Sequence, residues 1–189
     1  MNAGTLPDGR IDDADSAATA LVRPAAPEDL AIAGEICVEA YDLAGQLEPG
    51  SPYASTLRDT SSRAEDSLLL VAVRDDVVIG TVTICSPGSA SREIGRDDEV
   101  EFRFLAVAPS AWRTGVAEAL VAACEKHARE TGASALAICV RDTNTSAAAM
   151  YGRMGFTRVP ERDWTPRPGV DLLALTRPVL PRQVRARSR

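Results

Sequence analysis

The stretch that most constrains this chain is residues 101–121, EFRFLAVAPSAWRTGVAEALV. It opens with alternating apolar residues, passes a Pro-containing turn and enters an amphipathic segment at Gly115. Strand, tight turn and helix in that order leave unpaired backbone N–H groups at the helix start, where the helix dipole is positive. Such a corner accepts a phosphate. Apolar positions Ala117, Leu120, Val121, Cys124 and Ala128 then recur at helical spacing, charged residues fill the opposite side, and Gly132 ends the run. A further apolar strand at 134–141 follows at once. The two strands flanking this helix should therefore be parallel neighbours joined by a crossover.

The remaining segments build around that unit. A short strand is expected from Leu21, and Pro27, Glu28 and Asp29 open a helix whose apolar positions Leu30, Ala33, Ile36, Cys37 and Ala40 face a core. Gly45, Pro49, Gly50 and Pro52 break the pattern between 41 and 63, where a short helix is expected near 53–60. Residues 67–74 and 77–85 are β-rich runs separated by Asp75 and Asp76, a pair suited to a hairpin turn. A polar, Gly-containing loop at 87–98 leads to a third strand at 99–107, completing an antiparallel meander. After 141, Asn144 caps a second amphipathic helix that stops at Gly155, and two strands near 156–160 and 171–176 flank the loop DWTPRPG. The fold class is thus α/β (α+β): a mixed, mostly antiparallel twisted sheet of about six to seven strands with helices on both faces.

Composition narrows the function. The chain has 189 residues, 45% of them hydrophobic, which suits one domain with a real core, expected over residues 20–180. Residues 1–19 read as a flexible acidic leader and 181–189 as a basic tail. A formal net charge of -6 argues against a nucleic-acid binder and weakly favours a cationic partner. No apolar run approaches the roughly 20 residues that span a bilayer, and the start does not resemble a signal peptide, so a cytoplasmic location with no membrane partner is expected. Cys37, Cys85, Cys124 and Cys139 are scattered in apolar contexts with only His127 as a nitrogen partner, which reads as buried free thiols rather than a metal site.

The motif at 112–117, W-R-T-G-V-A, resembles the pyrophosphate-binding signature Q/R-x-x-G-x-G/A of the GNAT superfamily, the Gcn5-related N-acetyltransferases. Gly115 and Ala117 fall on its small positions, and Leu105 to Pro109, LAVAP, resembles the strand end before it. Downstream, N-T-S-A-A-A-M-Y-G-R-M-G-F (144–156) is similar to the family's N-x-x-A-x-x-x-Y-x-x-x-G-F block. The resemblance implies acetyl-CoA as cosubstrate, with no metal. It implies that the main chain of Trp112, Arg113, Thr114, Gly115, Val116 and Ala117 cradles the pyrophosphate, that Leu105 polarises the thioester carbonyl, and that Ala106 and Val107 pair with the pantetheine. Asn144 would add a cofactor contact. The partner is an amine-bearing acceptor; a homodimer is left open. Trp112 departs from the usual Gln or Arg, and Arg113 either replaces that charge or simply faces solvent.

Two residues carry the implied chemistry. Tyr151 matches the family's general acid for the leaving thiolate; the alternative is a buried tyrosine packed on the sheet. A free tyrosine near 10 and a thiol near 8.5 make full proton transfer uphill by roughly 2 kcal/mol, so a hydrogen bond that strengthens as charge develops is favoured. Glu101 aligns with a strand carboxylate that some relatives use as base, and Glu99 lies two residues earlier on the same face. That pair could equally form a negative pocket, or be ordinary strand residues. A base matters for a lysine-like amine, whose deprotonation at pH 7 costs roughly 4.6 kcal/mol, and far less for an amine near 8. The expected activity is acetyl transfer from acetyl-CoA directly to a primary amine. The alternatives are a CoA-binding sensor of the same fold and transfer of a longer acyl group.

Overall fold

The computed structural model describes residues 20–180. The expected leader at 1–19 and tail at 181–189 lie outside the described residues. The strands are β1 (Leu21–Pro24), β2 (Leu68–Arg74), β3 (Val77–Cys85), β4 (Glu99–Val107), β5 (Ala135–Arg141), β6 (Thr157–Arg158), β7 (Trp164–Arg167) and β8 (Val170–Pro178). They form one sheet in the order β1-β2-β3-β4-β5-β8-β6, with β7 paired to β8. Every pairing is antiparallel except β4 with β5, the crossover pair.

Asp75 and Asp76 both adopt positive φ (50° and 60°), as a two-residue hairpin turn requires. Helices α4 (Val116–Thr131) and α5 (Thr145–Arg153) cover one face of the sheet, where Leu120, Val121 and Tyr151 pack with Phe102 and Leu136. On the other face lie α1 (Leu30–Leu43), α2 (Tyr53–Arg58) and α3 (Thr60–Asp66), with Ile36, Cys37 and Leu57 against Phe104 and Ala106. The contact between α4 and β3 is close. A Cβ on Gly80 would come within 2.9 Å of Val116 Cγ1.

Two expectations change. The segment DWTPRPG is not a simple loop but part of a hairpin, because Trp164 pairs with Leu172 and Arg167 with Val170 around Gly169 at φ +80°. Pro166 hid this strand, since proline is tolerated at such an exposed edge. It raises the sheet from six or seven strands to eight. The strand expected at 156–160 is only Thr157–Arg158, followed by a 3-10 turn at Pro160–Arg162. Helix α3 is an addition to the expected elements, its start marked by Asp59, which accepts the Ser62 N–H at 3.1 Å.

Candidate active site

The site arises where β4 leaves its neighbour. Glu99, Val100 and Glu101 pair in parallel with Ala135, Leu136 and Ala137, and there the pairing stops, although β5 continues to Arg141 along β8. On its other side β4 bulges. Thr81 faces Ala106 and Thr83 faces Arg103, so two residues of β4, Phe104 and Leu105, oppose one of β3. The extra residue inverts the side-chain alternation: Phe102 points to the α4 face, while Phe104 and Ala106 point to the α1 face. Phe104 sits at φ +53°, which strains a bulky residue. It is held there by two guanidinium groups over its ring, Arg63 at 4.3 Å and Arg103 at 4.8 Å, while Cys37 donates to its carbonyl at 3.7 Å.

The parting of β4 and β5 opens a cleft of about 970 Å³. Leu105, Ala106 and Val107 line one wall, and Ile138, Cys139 and Val140 the other. At one end lies the turn before α4. Gly115 is the residue capping that helix, at φ +82°, and Arg113 is also left-handed at φ +62°. A Cβ at Gly115 would meet nothing within 4 Å, so backbone conformation rather than crowding selects glycine there. Trp112, Arg113, Gly115, Val116 and Ala117 line this end; Thr114 does not, its hydroxyl donating to the Ala111 carbonyl at 2.8 Å. Arg74 of β2 reaches the same turn and donates to Thr114 Oγ1 at 3.2 Å.

Asn144 and Tyr151 reach the cleft from α5. Asn144 caps its helix by accepting the Ala147 N–H at 3.1 Å. Tyr151 is buried in an aromatic group, 6.0 Å from Phe102 and 5.4 Å from Phe156 between ring centroids. Burial pushes its hydroxyl well above the usual tyrosine value, with the Cys124 thiol adding to the shift.

A strand parted from its parallel neighbour beside a phosphate-type helix start is a specific arrangement, and the family model of the acetyltransferase (GNAT) family matches residues 35–156, which span it. The chain belongs to the GNAT acetyltransferase family. It is an acyl-CoA-dependent N-acyltransferase of that type. Solved structures share its fold at low identity. A GNAT acetyltransferase from Staphylococcus aureus Mu50 has 11% identity and a TM-score of 0.67 over 85% of this chain and 99% of its own. The PaiA N-acetyltransferase from Thermoplasma acidophilum, in complex with coenzyme A, has 18% identity and a TM-score of 0.65 over 85% and 99%. The ribosomal-protein-S18-alanine N-acetyltransferase from Escherichia coli has 21% identity and a TM-score of 0.63 over 85% and 94%. No curated protein matches the chain in sequence.

Within this acetyltransferase, Trp112 has a definite role. Its indole Nε1 donates to the Val107 carbonyl at 2.7 Å, tying the turn to the end of β4, while the ring stays 44% exposed. Trp112→Phe removes that bond and little else, so the fold should lose about 1 kcal/mol. A thermal midpoint equal to wild type would show that the tie contributes nothing.

The carboxylates are placed differently from expectation. Glu101 is fully buried and does not line the cleft. Its Oε2 accepts the N–H groups of Glu93, Ile94 and Gly95 at 3.0, 2.9 and 2.7 Å, and its Oε1 shares that of Glu93 at 3.1 Å. The carboxylate is thus turned to the loop between β3 and β4 and not to the cleft. Glu99 is paired with both terminal nitrogens of Arg162, at 2.7 and 3.0 Å, so the two acids do not form one negative pocket. The acid that does reach this part of the cleft is Glu93, paired to Arg103 at 2.6 Å, with Tyr41 and Tyr53 lining the same region. Nothing in the sequence marks Glu93, because it lies in a loop and is brought to the cleft only by contacts distant in sequence. Among the described residues no His, Cys, Asp and Glu cluster could hold a metal ion, and no helix is long and apolar enough to cross a membrane.

Proposed function

We propose that this chain transfers the acetyl group of acetyl-CoA directly to a primary amine. The observation that carries the reading is a single cleft bounded by the start of α4, the unpaired edge of β4 after Glu101, and Tyr151. Acetyl-CoA would lay its pyrophosphate against the main chain of residues 113–117 and its pantetheine along Leu105, Ala106 and Val107. The main-chain N–H of Leu105 would donate to the thioester oxygen as negative charge develops there, an effect on the order of 3 kcal/mol. Tyr151 would donate a hydrogen bond to the departing sulfur. Its raised pKa keeps the proton on oxygen, which favours donation in concert with C–S cleavage over prior transfer.

Direct attack is also favoured by the thiols. Cys139 reaches the cleft, but burial pushes it up to about 12, with the Glu93 and Glu101 charges adding, so it is not a ready nucleophile. The ribosomal-protein alanine named for one structural neighbour makes an α-amine a reasonable acceptor class to test, alongside lysine-like and small aliphatic amines. Incubation with acetyl-CoA and such a panel, read by mass spectrometry, should yield acetylated amine. Tight binding of acetyl-CoA with no product from any amine would instead indicate a CoA-sensing module, and preferential use of a longer acyl-CoA would change the donor.

The phosphate end has its own test. Ala117 lies in the first turn of α4 on the cleft wall. Ala117→Glu sets a carboxylate where the pyrophosphate would rest, and should weaken acetyl-CoA binding roughly tenfold or more by charge repulsion. Calorimetric titration of the variant reads this directly; unchanged affinity would move the pyrophosphate elsewhere.

A further inference from the structure

We infer that Glu93, on the loop between β3 and β4, takes the proton from the acceptor amine; this rests on the acetyl-transfer reading of the cleft. Two acids of β4, Glu99 and Glu101, are engaged with other groups and neither lines the cleft. Glu101 is sealed by the N–H groups of residues 93–95 and Glu99 is held by Arg162. Glu118, which does line the cleft, sits in the first turn of α4 at the phosphate end. Glu93 is left. One of its oxygens, Oε1, lies 2.6 Å from Arg103 Nη2, and the other, Oε2, is buried without a hydrogen-bond partner.

Its position is fixed from both ends. The Glu93 backbone is clamped to the Glu101 carboxylate, and the loop is closed by Arg92, which donates to the carbonyls of Gly95 and Glu99 at 3.2 and 3.3 Å. Arg103, which holds the Glu93 side chain, is itself anchored by a 2.7 Å bond to the Ser91 carbonyl and by its stack on Phe104. Glu101 is in this sense a positioning residue, and Glu93 the group that would touch substrate. A fixed carboxylate on a cleft-lining residue, with one buried oxygen left without a partner, is suited to general-base work.

The charges around Glu93 set when it can act. Arg103 and Glu101 face it from β4, Tyr53 from α2, Cys85 from β3 and Cys139 from β5. Burial is the dominant influence and pushes Glu93 up to about 7, with Arg103 pulling down and Glu101 pushing up. Below that value the residue carries a proton and cannot accept another; above it the carboxylate is available. The ammonium of the acceptor gives one proton to Glu93 and becomes a neutral amine. Its lone pair then forms the C–N bond at the thioester carbon, and the C–S bond breaks with its electron pair leaving on sulfur. The second N–H proton ends on sulfur by way of the Tyr151 hydroxyl, and the first passes from Glu93 to solvent.

The test is the pH dependence of kcat/KM for wild type and Glu93→Gln, each with two amines of different pKa. Wild type should show an acidic limb near pH 7 that stays in place when the amine is changed, beside a second limb that moves with the amine. Glu93→Gln should lose the fixed limb and fall roughly 10²-fold in kcat, while acetyl-CoA affinity and thermal midpoint confirm a folded, donor-binding protein. A variant that binds acetyl-CoA and keeps the fixed limb, or keeps wild-type kcat, overturns the role of Glu93 alone. A wild type that acetylates no amine overturns the transfer reading itself and this inference with it.

Discussion

Replacing Glu101 with leucine is expected to lower unfolding free energy by about 3 kcal/mol, because the side chain removed is the acceptor for a whole loop. Three N–H groups, from Glu93, Ile94 and Gly95, point at one carboxylate that is fully buried. Leucine fills similar space and leaves all three donors without an acceptor, each costing roughly 1–3 kcal/mol if it stays dry. The loop residues are themselves half-buried, so part of that cost is recovered when the loop shifts toward water. Urea titration should show the midpoint falling with the slope preserved. Glu101→Gln retains one acceptor oxygen and should lose less. Equal stability of all three proteins would mean that the loop is held by something other than this carboxylate. Turnover of Glu101→Leu should also fall at temperatures where it remains folded, since the clamp that presents Glu93 is gone.

Tyr151→Phe should have the opposite profile: small in stability, large in rate. The ring packs between Phe102 and Phe156, and phenylalanine keeps that packing, so the unfolding free energy should stay within about 0.5 kcal/mol of wild type. The hydroxyl is what borders the leaving sulfur in the proposed geometry. Its loss should lower kcat roughly 10³-fold with acetyl-CoA affinity unchanged. The sign of the pH effect follows from burial, which raises the folded value above the ordinary one near 10. Tyr151 therefore stays protonated across neutral pH and contributes no limb to the rate profile there. Wild-type kcat under chemistry-limited conditions would remove Tyr151 from the mechanism.

How far the sequence reaches can be judged from particular residues. The crossover from β4 through α4 to β5 was legible because its signals are local: alternation, Gly115 at the helix start, an apolar stripe and a terminating Gly132. The same holds for the hairpin at Asp75 and Asp76 and for the cap at Asn144. The resemblance of 144–156 to the family block then made coenzyme A the expected ligand of the phosphate corner. What was not legible depends on contacts between distant segments. The bulge at Phe104 inverts the faces of β4, and it rests on Arg63, Arg103 and Cys37, none of them adjacent to it except Arg103. Glu101 has the right strand and spacing for a base, but the loop at 93–95 closes over it. Trp112 departs from the motif, and its bond to the Val107 carbonyl is not encoded in any local pattern. Loops and bulges carry no periodicity, so the part of the cleft lined by Tyr41, Tyr53, Glu93 and Arg103 had no signal of its own.

The most direct test of the account is thiol release from acetyl-CoA followed in a single turnover, with enzyme in excess, in the presence and absence of acceptor amine. Direct transfer predicts no thiol release without amine and one equivalent of thiol per acetyl-CoA with it. Release of a full equivalent without amine, with the acetyl group found on the protein and not as acetate, would mean an acyl-enzyme, and no release with any amine while acetyl-CoA stays bound would mean that the cleft binds the donor without transferring it.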